Sequence, residues 1–350
     1  MFRFSALAVE DAGRLVAGAP VFETDFRLDL AAEGAMQKVA QWLDRNVPKL
    51  NRVKVIGLGS PHADEICVGI DPALDNDGRQ AAFDALLAGL EGQAASTGAS
   101  VMALKNISAS EAAEFGPVLV RRGYAAIATL PVSKLAIPDT VEAYIDGLSQ
   151  NMRSNLRRRL KRAAKLEVEI RPGGADISDV APELFELREL TRTRAMTDYD
   201  AFALVAPGYF ASVMKECGPM ARLLLYRREG RLIGFSLVLL EEKRLKEKYT
   251  GMRYPEGPDN GVFYFNWVQL VRLCIENGIP QLHSGETTYL IKARLGCKFH
   301  RSWIYFRHRR AFANAVLKRA SRWASLDAAD PDLKELGDSA PYADAVKPSP

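Results

Sequence analysis

"EICVGIDPALDNDGRQAAFDALLAGLEGQAASTGASVMALKNISASEAAEFGPVLVRRGYAAI", residues 65–127, decides the fold. "EICVGIDP" reads as a buried strand stopped by Asp71-Pro72. In "GRQAAFDALLAGLEGQAASTG", Ala82, Phe83, Leu86, Leu87 and Leu90 share one face of a helix that ends near Gly98. "SVMALKNI" is a strand, "ASEAAEFGPVLVRRGY" a second helix closing on Gly123, and "AAIATLPVSKL" (125–135) one further strand. Strands thus alternate with helices, which predicts an α/β chain with mixed sheets.

Working outward, "FRFSALAVEDAGRLVAGAPVFETDFRLDL" carries the signature of a β-hairpin around "EDAGR". "AMQKVAQWLDRNV" (35–47) has helical spacing, and "RVKVIGLGSP" is a strand running into a loop. After Pro138 the run 140–165 reads as one helix, followed by the strand "LEVEIRPGG" and helices over 180–195 and 206–218. Three strands over 221–252 come next, and then the helix "VFYFNWVQLVRLCIENGI". "QLHSG" is a short strand, "TYLIKARLG" a helix and "CKFHRSWIYFRH" a last strand.

The first half's order of elements therefore recurs in the second, an internal duplication at the level of architecture. The expected division is 1–137 and 138–312, with a basic linking helix over 148–166. Residues 313–350 are expected to form a basic helix and a disordered tail. Beyond Ser325 the sequence is rich in Pro, Asp and Ala and poor in large apolar residues.

Bulk properties narrow the function. The 350 residues are 48% hydrophobic and 26% charged, as in globular proteins with a real core. A net charge of +4 is small for a nucleic-acid-binding protein of this length, so any anion site is local. No apolar run has the length of a membrane span, and the N-terminus does not read as a signal peptide. Cys67, Cys217, Cys274 and Cys297 lack CxxC spacing and sit in apolar stretches, which predicts reduced, buried thiols in a cytoplasmic protein. The four histidines show no ligand spacing, so no metal is expected.

Residues 65–127 resemble the heart of a GNAT-type acyltransferase domain. The second half resembles the same fold in the form of Fem-type peptidyltransferases and FemAB-like acetyltransferases. That likeness is carried by "NMRSNLRRRLKRA", "ARLLLYRREGRLIGFSLVL", "FYFNWVQLVRLCIENG" and "SGETTYLIKARLGCKF", with Gly285, Lys292 and Gly296 at the Fem-like spacing. The resemblance spans about residues 50–310 and implies two tandem GNAT-like domains. It implies an amide-forming N-acyltransferase with no permanently bound cofactor and with acyl-CoA or aminoacyl-tRNA as cosubstrate; the rival reading is a degenerate pair of such domains that only binds a cell-wall precursor or nucleic acid. The acceptor would be the primary amine of a small molecule or peptide, and a tRNA or a carrier protein is the macromolecular partner to consider.

Both halves depart from the family's phosphate-binding turn. "ALDNDGRQ" has a single glycine, Gly78, with Asp75 and Asp77 beside it, and carboxylates repel a pyrophosphate. "RYPEGPDNGVFYFNW" also lacks the motif, although Gly261 opens a helix. The family's general-acid Tyr, four residues before the helix-closing Gly, is Leu119 in the first half and Lys292 in the second.

Fem-type enzymes are similar in having a Lys at the place of Lys292, and Glu286 and Tyr289 start the same helix. These three are the catalytic candidates, with Glu286 placed to take a proton from the attacking amine. The plainer readings are a helix cap for Glu286 and a solvated helix residue for Lys292. Arg153, Arg157, Tyr249, Trp267 and His283 are the candidates for substrate binding. Gly261, Asn260 and Arg294 are those for the cosubstrate. Seven Arg or Lys side chains lie between Arg153 and Lys165 with no acid among them, while Met152, Leu156, Leu160 and Ala163 form an apolar stripe. A helix so charged is better tolerated against a polyanion. It is expected to line a cleft between the halves together with Lys292.

Overall fold

The computed structural model describes residues 2–27, 52–194, 205–321 and 325–343. The helix expected over 35–47 lies outside them. Strands β1 (Arg3–Asp11) and β2 (Arg14–Arg27) form the expected hairpin through Ala12 and Gly13, both at positive φ. Such a two-residue turn matches the strands' right-handed twist.

Strand β3 (Arg52–Leu58) and the two-residue β4 (Gly69–Ile70) precede helix α1 (Asn76–Thr97), strand β5 (Val101–Ser108) and helix α2 (Ala109–Arg121). The buried strand expected over 65–72 is thus reduced to β4, which pairs with β2. Helix α1 starts on the Asp75 side chain, which accepts from Gly78 N at 2.8 Å, and stops at left-handed Gly98. Between them Phe83, Leu86, Leu87 and Leu90 are wholly buried against the sheet. Each contributes roughly 1.5–3 kcal/mol.

The stretch 125–135, expected as one strand, is two: β6 (Ala125–Ala128) and β7 (Val132–Ala136). Proline 131 sits between them and has no N–H for a ladder. The run 140–165 is likewise two helices, α3 (Val141–Gly147) and α4 (Gln150–Ala163). They part at extended Leu148, and the Ser149 hydroxyl caps the second by accepting from Met152 N at 3.3 Å.

Strand β8 (Glu167–Pro172), helices α5 (Ala181–Arg192) and α6 (Tyr209–Glu216), and strands β9 (Ala221–Arg228), β10 (Arg231–Leu240) and β11 (Leu245–Met252) follow. Then come α7 (Glu256–Asp259), α8 (Val262–Glu276), β12 (Gln281–His283), α9 (Tyr289–Arg294), β13 (Lys298–His300) and β14 (Ser302–His308). The chain continues into α10 (Ala311–Ser321) and α11 (Pro331–Leu336). The last expected strand, 297–308, is therefore also two.

The first sheet has the order β1-β2-β3-β5-β14-β6, and the second β13-β7-β12-β11-β10-β9-β8. Each half gives one strand to the other's sheet: β7 lies between β12 and β13, and β14 between β5 and β6. The chain division at 137/138 falls between β7 and α3, yet neither half completes its sheet alone. Helices cover both faces of the second sheet. Along β9, Leu224 and Tyr226 enter one apolar cluster with α8, while Leu223 and Leu225 enter another with α5 and α6.

Two expectations fail. The tail is not disordered over 325–343: Leu333 is buried, Leu336, Ala340 and Tyr342 pack on the second core, and Phe299 N donates to Pro341 O at 2.9 Å. Few apolar residues suffice there because they land on a core already built. The cysteines are free, but only Cys274 and Cys297 are buried; Cys67 is exposed and Cys217 partly so. Among the described residues, no helix is long and apolar enough to cross a membrane.

Candidate functional site

Strands β11 and β12 run parallel but share only two register pairs, Leu245↔Leu282 and Lys246↔His283. Past that point the chain after β12 stays with β7, Ser284 N donating to Ser133 O and Ser133 N to Gly285 O, each at 3.0 Å. Strand β11 instead follows β10 and bulges at Lys248, the residue left between the pairs Val238↔Glu247 and Leu237↔Tyr249. The two strands therefore splay, and a polar set fills the opening.

Glu247 ties the splay together. Its carboxylate accepts from Ser284 Oγ at 2.7 Å and from Asn266 Nδ2 at 2.8 Å, and Asn266 Oδ1 in turn accepts from the Tyr226 hydroxyl at 2.6 Å. Tyr226, Asn266 and Ser284 are all buried. None of the four was singled out by sequence; Ser284 next to a Gly at a strand end was the only local sign.

Lys292, on α9, is also buried. Its ammonium donates to the carbonyls of Ser284 at 2.6 Å, Glu286 at 3.1 Å and Gly285 at 3.4 Å. An ammonium has three donors, and here three carbonyls take them. Burial lowers its pKa, opposed chiefly by the Glu247 charge. The cation expected to meet an oxyanion or a phosphate is thus spent on the turn 284–286. That turn needs holding, because Thr287 and Thr288 both stand at positive φ, a strained state for threonine.

The pinned turn carries Glu286. Its Oε1 is shut from solvent and has no hydrogen-bond partner. Burial raises the carboxyl's pKa to about 7, with Asp64 adding to the rise and Lys105, Lys292 and Lys248 opposing it. Two of these groups, Asp64 and Lys105, come from the first half of the chain, so the site is built by both.

The loop between β3 and β4 closes the arrangement. Lys105 Nζ donates to Pro61 O and Asn106 Nδ2 to Ala63 O, each at 3.0 Å. A bulge in β5, where Lys105 and Asn106 together face a single residue of β14, lets both reach the loop. On the far side Lys248 Nζ donates to His62 O at 2.8 Å and pairs with Asp64 at 3.4 Å, while Glu65 bridges Arg244 and Lys246. Burial and the charges of Lys105, Lys248 and Arg188 push His62 down to about 4, so its ring is neutral at pH 7.

The other expected residues are placed as follows. Tyr289 is fully buried with its hydroxyl donating to Pro131 O at 2.8 Å, a tie between α9 and the crossing strand rather than a group facing the splay. Trp267 is buried in the core, its indole N–H donating to the Tyr144 hydroxyl oxygen at 2.7 Å. His283 is buried, 2.6 Å from Gln281 Oε1, and burial with the nearby Lys134, Arg244 and Lys246 charges pushes it down to about 3. Tyr249 packs on Tyr209 and Phe210, under the Arg188 guanidinium.

Two of the three cosubstrate candidates, Gly261 and Asn260, are occupied by the chain itself. A Cβ on Gly261 would stand 2.9 Å from the carbonyl oxygen of Arg159, so α4's backbone lies against the N-terminus of α8. Asn260 accepts from Arg228 and donates to Glu256 O. Arg294 is exposed. On α4 the buried face is Met152, Leu156 and Ala163. Arg153 donates to Asp146 O at 2.6 Å and exposed Arg157 pairs with Asp146 at 3.5 Å. The Lys292 ammonium is turned to the carbonyls of 284–286, whereas Arg157, Arg158, Lys161 and Arg162 on α4 are exposed, so no common lining of α4 and Lys292 is seen among the described residues.

No family model matches the chain, and no curated protein matches it. Among solved structures, FemX aligns over 91% of this chain and 90% of its own at 12% identity, with a TM-score of 0.60. The C-terminal domain of a putative lysylphosphatidylglycerol synthetase from Agrobacterium fabrum aligns over 91% and 88% at 14% identity (TM-score 0.54). A tandem GNAT protein from the clavulanic acid biosynthesis pathway aligns over 88% and 83% at 11% identity (TM-score 0.50). The chain has the tandem GNAT fold. Within that class its fold is Fem-like, the likeness to FemX running through both halves.

Proposed function

We propose that the chain is a GNAT-type N-acyltransferase that moves an acyl or aminoacyl group from an activated carrier to a primary amine. The observation that carries this reading is Glu286: an enclosed carboxyl with an unpartnered oxygen, pushed up to about 7, at the mouth of a strand splay. A general base works best with its pKa near the working pH. The Glu286 carboxylate takes the proton of the attacking amine as the C–N bond forms. Past Lys246 the edge of β11 that faces β12 is not in the ladder, and its N–H groups suit the oxyanion of the tetrahedral intermediate. Collapse breaks the carbonyl's bond to the carrier, and the proton on Glu286 passes to the leaving thiolate or alkoxide. Lys292 is a positioning residue in this scheme, fixing the turn that aims Glu286.

The donor proposed first is acyl-CoA, with nothing bound permanently. A specific observation favours a second reading, aminoacyl-tRNA or an acyl carrier protein. Both helix N-termini where a pyrophosphate would lodge are filled, α1 by Asp75 and α8 by the Arg159 carbonyl. The exposed cations Arg157, Arg158, Lys161 and Arg162 then offer a grip for a large anionic carrier.

Incubating the purified protein with acyl-CoAs and charged tRNAs over a panel of primary amines, with amide products read by mass spectrometry, tests the proposal. Glu286→Gln is expected to lower the rate by roughly 10²–10⁴-fold. Loss of turnover on RNase treatment selects the tRNA donor, and an unchanged rate in the Gln variant removes Glu286 from the chemistry.

A further inference from the structure

Arg244, in the turn before β11, and Lys246 and Lys248 on that strand follow one another at every second residue, beside the splay that holds Glu286. The hairpin's own acid in the row is Glu241, 2.6 Å from Arg244 and 2.9 Å from Lys246. The remaining balance comes from the first half: Glu65 on Arg244 and on Lys246 at 3.2 Å, Asp64 on Lys248 at 3.4 Å. Three cations thus meet one resident acid and two visiting ones.

The visiting acids sit on a hook tied to its own lobe. Gly59 N donates to Pro20 O at 2.7 Å, Ile66 is buried in the first core, and Lys105 and Asn106 hold the carbonyls of Pro61 and Ala63. Only the 62–65 tip projects across, and its Asp64 and Glu65 side chains stay 25% and 29% exposed. Lys246 and Lys248 are themselves only 16% and 12% exposed, so the tip's carboxylates compensate part-buried charge that an incoming anion would compensate equally. The strand exchange already locks the halves together, so the hook is not needed to join them.

Asn106, whose amide holds the tip at Ala63 O, has its Oδ1 buried without a partner, and Glu286 Oε1, which feels the Asp64 charge, is likewise shut from solvent and unpartnered. Two buried acceptors without donors suit an amine, and three cations under displaceable carboxylates suit an anion. We infer that the Asp64–Glu65 tip stands in for the anionic group of the acceptor, so that the acceptor is an amine that also carries a carboxylate or a phosphate. Its anion binds Lys246 and Lys248 in exchange for the tip, and its amine reaches Glu286. Naming the ligand an acceptor rests on the acyl-transfer reading above; the anion site itself does not.

Isothermal titration of the whole protein with inorganic phosphate, and separately with succinate, tests the site without turnover. Asp64→Asn with Glu65→Gln is expected to bind at least one probe about tenfold more tightly than the wild type, since without the two competing carboxylates three cations face one acid, Glu241. Adding Lys246→Met to that variant is expected to remove the gain. Stronger gain for phosphate points to a phosphorylated amine, and for succinate to an amino acid. Should the double variant not fold, Glu65→Gln alone is expected to show a smaller gain in the same order. Affinity equal to the wild type, or a gain that survives Lys246→Met, overturns the proposal, whatever the transfer assay shows.

Discussion

Leu119 and Lys292 occupy the same place in the two halves, four residues before the glycine that closes a helix. Both are buried, yet they meet opposite surroundings. Leu119 packs in an apolar cluster with Phe83 and Phe115, whereas Lys292 meets three carbonyls and a neighbouring carboxylate. A duplicated fold thus carries a plain core position in one half and a buried cation in the other. Burying an ammonium costs several kcal/mol before its partners offset it. The second half bears that cost where its backbone turns left-handed, at Thr287 and Thr288, beside the unpartnered Glu286 carboxyl.

Exchanging the two residues has the largest expected effect. Leu119→Lys puts a charge in a site with no cradle and is expected to destabilise by about 3–5 kcal/mol, read by urea unfolding. Lys292→Leu removes the ammonium but frees three carbonyls and the strained turn. It is expected to cost about 1–3 kcal/mol and to lose transfer activity nearly as fully as Glu286→Gln. If Lys292→Leu keeps full activity, the turn does not need its pin.

Smaller effects sharpen the picture. Glu247→Ala leaves Ser284 Oγ and Asn266 Nδ2 without their acceptor, for an expected loss of about 1–3 kcal/mol by the same measurement. Arg157→Glu, on the exposed face of α4, is expected to change stability by less than about 0.5 kcal/mol. If the carrier is tRNA, that change weakens tRNA binding and flattens its salt dependence, as a filter-binding series would show.

Local elements were legible where patterns are local. The β1–β2 hairpin, α1 with its apolar face and Gly98 stop, and α2 with Gly123 stand where spacing predicts them. Strand exchange was not legible. Alternation along 125–135 says which residues face a core but not which core, and no breaker marks Arg301 between β13 and β14. Pro131 was the one available sign in the first case. Glu286 was found from its place at the start of a helix. Asp64, Lys105 and Lys248 were not, because the 59–66 loop meets β11 across more than 180 residues of chain. The run of cations in α4 drew attention to a surface, while the buried charges that surround the carboxyl sit singly among apolar neighbours.

A carboxyl enclosed by both halves and titrating near neutrality is what the account requires. With its folded pKa raised above the unfolded value, Glu286 contributes stability that is present at low pH and lost as pH rises through about 7. Carbon-13 NMR of glutamate-labelled protein, with Glu286→Gln to assign the signal, reads that ionisation directly. A midpoint near 7 is expected for Glu286; a midpoint near the ordinary glutamate value of about 4.3 would rule it out as an enclosed base.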